Sequence, residues 1–211
     1  MNKQNIERRY YACGITKRED DQKHIIEGVP IVFGKETDMG WCREVIESGA
    51  LDKTDLKDVP LLTNHDTDQL PLARSRNNNA NSTMQLSVQS DGLHFRADLD
   101  TEHNSRAEEL DSAVSRQDVT GMSFAFTVDG YEWEDIESDS PLRRIKSISK
   151  VYEISAVTYP AYPQTEIYAR GLDSLHASLD SEKEALESAR RSKKMRDEIK
   201  RKVEEMKCRK D

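Results

Sequence analysis

Residues 121–126 read Gly-Met-Ser-Phe-Ala-Phe, and that order leaves the backbone few options. Met122, Phe124 and Phe126 occupy every second position, with Gly121, Ser123 and Ala125 between them. A period of two is that of a β-strand, whose successive side chains project to opposite faces. One face is bulky and apolar and must be covered by a core. The other is almost bare, with the Ser123 hydroxyl at its centre. A substrate backbone, or simply a closely packed neighbour, could lie against it.

The flanking segments extend this β character. Residues 9–13 and 25–33 read as strands on either side of a charged turn at 17–23, the second broken by Gly28 and Pro30 as a bulged or edge strand would be. Residues 40–49 carry Trp41, Val45 and Ile46 among charges and end in Gly49, which predicts a short helix. Residues 59–64 form an apolar strand running straight into His65 and Asp66, and the asparagine-rich stretch 77–82 predicts a mobile loop. Residues 84–88 and 93–99 alternate polar with apolar around Ser90-Asp91-Gly92, a hairpin signal. Residues 104–116 place Ala107, Leu110, Ala113 and Val114 on one helical side and lead into the Ser123 strand. Strand character resumes at 142–148 and 151–159, stops at Pro160 and Pro163, and returns briefly at 166–169. Seven or more strands with two helices predict an α+β, mainly β fold: a closed or nearly closed sheet with helices packed outside.

Charge divides the chain. Residues 1–170 hold 20 Lys or Arg against 30 Asp or Glu, whereas 171–211 hold 12 against 10. A body that acidic is a poor general binder of nucleic-acid phosphates. From Gly171 onward Leu172, Leu175, Leu179, Leu186, Met195, Ile199, Val203 and Met206 recur mostly at three, four or seven residue steps, the mark of an amphipathic helix. The stripe is thin, with Ala185 and Ala189 where a strong zipper would carry leucine, so it reads either as a solvated helical tail or as a segment that docks on a helical partner or is trimmed. The expected organisation is a domain at 1–170 and a tail at 171–211. Cys13, Cys42 and Cys208 have neither pair nor metal spacing, and no stretch approaches the roughly 20 apolar residues of a membrane span. A cytoplasmic protein, or one enclosed in something assembled there, is expected, with no membrane and no nucleic acid as partner.

Serine is a poor nucleophile until a base takes its proton, and imidazole, with a pKa of about 6.5, suits that role near neutral pH. Of the five histidines, His24 and His103 lie in polar turns, His176 in the tail and His94 in a hairpin strand; His65 alone is delivered from the end of an apolar strand into a polar loop. A third polar group usually holds such a base in one tautomer. Glu153 is one candidate, since a carboxylate in so apolar a strand is either on the wet face or bonded to something specific. Asp66 is its rival. No His-x-x-x-His, Cys-x-x-Cys or His-x-Glu pair is present, so metal chemistry fits worse.

Three motifs together resemble the prohead maturation proteases of tailed bacteriophages: Leu-Thr-Asn-His-Asp at 62–66 followed by Leu-Pro-Leu-Ala-Arg at 70–74, Gly-Met-Ser-Phe-Ala-Phe at 121–126, and the run from Glu153 to Pro163. The resemblance covers roughly residues 28–170. It implies a serine endopeptidase on a fold related to the herpesvirus assemblins, a mostly antiparallel β-barrel wrapped by helices. It also implies Ser123 as nucleophile, His65 as base, Glu153 as third member and no cofactor. The implied partners are the major capsid protein and its scaffold region, cut inside the procapsid in the host cytoplasm, then the protease itself, with a homodimer as a further expectation. Backbone amides near Ser123, or a basic residue such as Arg143 or Arg144, are the candidate oxyanion donors. Many relatives have glycine where this chain has Ala125, which bears on substrate preference. The competing expectation is a non-catalytic scaffold- or capsid-binding assembly protein on the same barrel; a third is a serine hydrolase of another ester or amide.

Overall fold

A computed structural model describes residues 6–11, 14–18, 23–158 and 172–208. In chain order the elements are β1 (Glu7–Tyr11), β2 (Ile15–Arg18), β3 (His24–Val32), β4 (Thr37–Asp38), β5 (Arg43–Ile46), β6 (Asp58–Thr63), β7 (Ala73–Arg76), β8 (Met84–Gln89) and β9 (Gly92–Leu99), then α1 (Ser105–Ser115), β10 (Gly121–Glu134), β11 (Leu142–Val157) and α2 (Leu172–Cys208).

The strands form two sheets. In the larger, β10 and β11 pair antiparallel along nearly their whole length, and β1 adds antiparallel to the outer edge of β10. β11 pairs in parallel with β5 at its start and with β6 near its end; β4 and β7 then pair with β5 and β6 respectively. The smaller sheet runs β2-β3-β9-β8, all antiparallel. Met122, Phe124 and Phe126 from β10, Ile26 and Ile31 from β3, and Leu93 and Phe95 from β9 are buried in one cluster. Fully burying a side chain of this size contributes about 1.5–3 kcal/mol. α1 caps its own start, the Asn104 side chain accepting from the Arg106 amide, and seats Ala107, Leu110 and Val114 in the same core.

Several expectations need correcting. The described strands do not close into one barrel. Near the β7–β8 junction the sheets touch through Thr83, which donates its amide to the Arg74 carbonyl at 3.1 Å and accepts the Arg74 amide at its hydroxyl, and no ladder continues from there. The short helix expected at 40–49 is instead β5. Glu44, Val45 and Ile46 are consecutive and all buried, on both faces, which a strand between neighbours achieves and a one-sided helix does not. The two strands expected at 142–148 and 151–159 are one, β11, ending at Val157. The break at Gly28 and Pro30 is a bulge, with the register shifting between Gly28 and Ile31, although β3 lies inside its sheet. The 77–82 loop is tied down by Asn78, whose side chain exchanges two hydrogen bonds with the Leu86 backbone, at 2.7 and 2.9 Å. The extended piece at 166–169 lies outside the described residues.

The tail is helical as the stripe requires over residues 172–208, but Glu182, Leu186 and Arg190 pack on the body. Leu186 is buried, and Arg190 donates to the Ile136 and Ser138 carbonyls. Glu182 enters a buried cluster with Glu7 and Arg9 of β1, Glu44 of β5 and Arg143 of β11. Burial opposes the charge on Arg9, but Glu44, Glu182 and Glu7 outweigh it and hold the guanidinium firmly protonated. Burial likewise works against an ionised Glu7, yet Arg9 and Arg143 keep its carboxyl below the usual range. For Glu182 burial wins, and its pKa is raised. The oxygens of Glu7, Glu44 and Glu182 lie within 4.8 Å of one another, a spacing that calls for a cation, and the two guanidiniums supply it.

Candidate active site

Because β10 turns its bulky residues into the core, Ser123 and Ala125 face the other way. Ser123 stands opposite Ser155 of β11 on one side and opposite Tyr10 of β1 on the other. Glu153 lies two residues before Ser155, hence on the same face, directly across from Ala125. β6 runs beside this part of β11 with Leu62 at the level of Ser155, and it ends one residue later. The chain therefore leaves the sheet next to Ser155, and the second residue out is His65.

That exit is a tight turn in which Asn64 (φ 50) and His65 (φ 58) both adopt left-handed backbone. Such a conformation costs a non-glycine residue roughly 1–2 kcal/mol, so it must be held by its surroundings. The Asn64 amide donates to the Ala156 carbonyl at 2.9 Å, and the Asn64 side-chain oxygen accepts the Thr158 amide at 3.0 Å. The His65 amide donates to the Ser155 hydroxyl at 3.2 Å. From α1, Arg106 grips Thr63 Oγ1 and the Leu70 carbonyl, fixing both ends of the loop.

The turn points the imidazole back over the sheet. His65 Nε2 lies 2.7 Å from Ser123 Oγ, and His65 Nδ1 lies 2.5 Å from Glu153 Oε1. The second oxygen of Glu153 accepts the Ser155 hydroxyl at 2.6 Å. A ring that carries its proton on Nδ1 would donate to Glu153 and turn the Nε2 lone pair to the Ser123 hydroxyl. Tyr10 meets the imidazole edge-on, ring centres 5.3 Å apart. The group is dry: Ser123 is fully buried and the His65 and Glu153 side chains are 10% and 7% exposed. Such an arrangement can move a hydroxyl proton onto a ring nitrogen and stabilise the resulting imidazolium.

The other candidates lie elsewhere. Asp66 caps the Asp68 amide, His24 faces Asp111, and His94 and His103 pair with Asp91 and Asp100. Arg143 is spent on Glu7 and Glu44, and Arg144 on Glu134 and Glu47. The side chain of His176 lies outside the described residues. Sequence reasoning missed Ser155, which braces both Glu153 and the His65 turn; its place two residues after a strand glutamate was the available signal. It also missed the β1 contact, in which the Arg9 carbonyl oxygen lies 2.8 Å from Ser123 Oγ.

Residues 13–178 match the model of a family described as caudovirus prohead serine protease. No curated protein and no solved structure matches the chain. Among the described residues no helix is long and apolar enough to cross a membrane.

Proposed function

We propose that this chain, which belongs to the caudovirus prohead serine protease family, is a capsid-maturation endopeptidase with Ser123 as nucleophile, His65 as general base and Glu153 as the residue that orients it. The observation that carries the reading is the continuous hydrogen-bonded run from Ser123 through His65 to Glu153 and Ser155. In the reaction His65 Nε2 takes the Ser123 proton as Oγ attacks the scissile carbonyl, and Glu153 stabilises the imidazolium. The tetrahedral intermediate collapses as His65 returns the proton to the leaving amine, and water then releases the acyl group by the same steps.

The substrate is the scaffold, or the scaffold-like arm of the major capsid protein, inside the procapsid assembled in the host cytoplasm, followed by the protease itself. Residues 171–211 serve as the recruiting segment. Their exposed Met195, Ile199, Val203 and Met206, beyond the packed Leu186 and Arg190, support docking on a helical partner, whether scaffold or a second copy.

Co-expression with the capsid protein and mass measurement of every fragment tests this. Ser123→Ala and His65→Ala should each lower cleavage by about 10⁴-fold or more. Full processing by either variant sinks the assignment, and binding without products from the unaltered chain would leave a non-catalytic assembly protein.

A further inference from the structure

β1 lies directly beside Ser123. It adds to the edge of the strand that carries Ser123, with Tyr10 across from that serine and Arg9 across from Phe124. Extended peptides bind sheet edges through this kind of pairing. Its main-chain carbonyl oxygen at Arg9 also accepts from the Ser123 hydroxyl at 2.8 Å, so the backbone of β1 lies directly against that side chain. The hydroxyl has one proton and two acceptors, His65 Nε2 and the Arg9 carbonyl, so a seated β1 competes with the base for it.

The side chain of Arg9 fills a built pocket. Its guanidinium donates to both oxygens of Glu44, at 2.6 and 2.8 Å, and to Glu182 at 3.1 Å, and it lies against the Phe126 ring. β1 brings its own Glu7, which Arg143 neutralises. With β1 gone, Arg9 and Glu7 leave together, and Glu44 loses both guanidinium bonds from Arg9 and keeps the one from Arg143.

The residues matched by the family model include the groove side and not β1. Ser123, His65, Glu153, Glu44 and Arg143 fall within residues 13–178, whereas β1 precedes them and Glu182 follows them.

We propose that the edge of β10 beside Ser123 is the substrate groove, that β1 occupies it as a built-in stand-in for substrate, and that the peptides accepted carry arginine or lysine where Arg9 now lies. This rests on the serine peptidase reading. The enzyme is latent while β1 is seated, and α2, through Glu182, helps to keep it there.

The test uses the full chain and two peptidyl aldehydes. One has the sequence of residues 6–9, Ile-Glu-Arg-Arg, with its C-terminal arginine as the aldehyde; the other ends in glutamate aldehyde instead. Each can form a hemiacetal with Ser123, the Oγ–C bond forming as the hydroxyl proton passes through His65 to the former carbonyl oxygen. A fluorophosphonate that labels Ser123 reports the unblocked site. The arginine aldehyde should protect Ser123 at concentrations roughly 30-fold or more below those the glutamate aldehyde needs, the loss expected for an unpaired buried charge. Amides of residues 7–11 should then exchange hydrogen faster as β1 is expelled. Equal protection by the two aldehydes, or an adduct that leaves residues 7–11 as protected as before, overturns the groove and its basic preference while the peptidase stands. Failure of the fluorophosphonate to label Ser123 at all, in the full chain and in a Tyr10→Ala chain whose β1 cover is loosened, overturns the peptidase reading and this inference with it.

Discussion

Ala125 stands directly across the β10–β11 ladder from Glu153, the carboxylate that holds His65. Side chains so paired have Cβ atoms about 4.5–5.5 Å apart, so the small residue at 125 leaves the space that Glu153 and the imidazole occupy. Ala125→Val should crowd Glu153, lower the rate of Ser123 acylation by about 10-fold or more through misplaced geometry and cost roughly 1–3 kcal/mol of stability. Ala125→Gly should keep the site intact. Fluorophosphonate labelling rates and thermal unfolding of the two variants check this; an unimpaired valine variant would mean that Glu153 is not held by that space.

Ser155 acts through two partners, donating to Glu153 and accepting from the His65 amide. Ser155→Ala should leave substrate binding alone and lower kcat by about 10–100-fold, with Ser155→Thr restoring most of it. The split between kcat and KM decides the matter. A rise in KM with kcat unchanged would place Ser155 in substrate binding instead.

The parts of this arrangement differ in how far the sequence discloses them. The alternation of Met122, Phe124 and Phe126 reads directly as a strand, and Ala107, Leu110, Ala113 and Val114 on one side read as a helix, because both are local signals. β5 escapes such reading. Its residues are buried on both faces by neighbours distant in sequence, and Trp41, Val45 and Ile46 mimic a helical spacing. Sheet closure is a property of edges, which no periodicity encodes. Within the candidate site, Ser123 is visible on the bare face of a strand and His65 just past the end of another. The brace from Ser155 and the cover from β1 depend on register, which is set only when β1, β6, β10 and β11 assemble.

The left-handed pair Asn64 and His65 makes a separate prediction. Asparagine tolerates this conformation better than most residues, and here its side chain also holds Thr158. Asn64→Ala should lose that brace and cost roughly 1–3 kcal/mol, whereas Asn64→Gly should keep the turn and lose only the side-chain bonds. Thermal unfolding of the pair, read beside Ser123 labelling, tests it. Alanine and glycine variants of equal stability would show that the turn stores no strain.

Glu182 gives the protein a pH dependence opposite to that of most carboxylates. Burial raises its pKa above the ordinary carboxylate value despite Arg9 and Arg143, with Glu7 and Glu44 adding to the rise. Between the ordinary value and the raised one, the folded protein keeps a proton that the unfolded chain has lost. Stability therefore falls as pH rises through that window. Glu7, held low by the arginines against its burial, acts in a different window: its contribution is present above the ordinary value and lost as pH falls towards its depressed one. Cys42 nearby has its thiol pushed up to about 12, burial being the main cause, so it stays neutral throughout. Raising pH from about 5, just above the ordinary carboxylate range, should thus lower Tm, loosen α2 and speed hydrogen exchange in residues 7–11. Glu182→Gln keeps the shape without the ionisation and should flatten all three dependences. Parallel Tm curves for the two proteins over that range would show that Glu182 is already ionised in the fold and that α2 is held by packing at Leu186 and Arg190 alone.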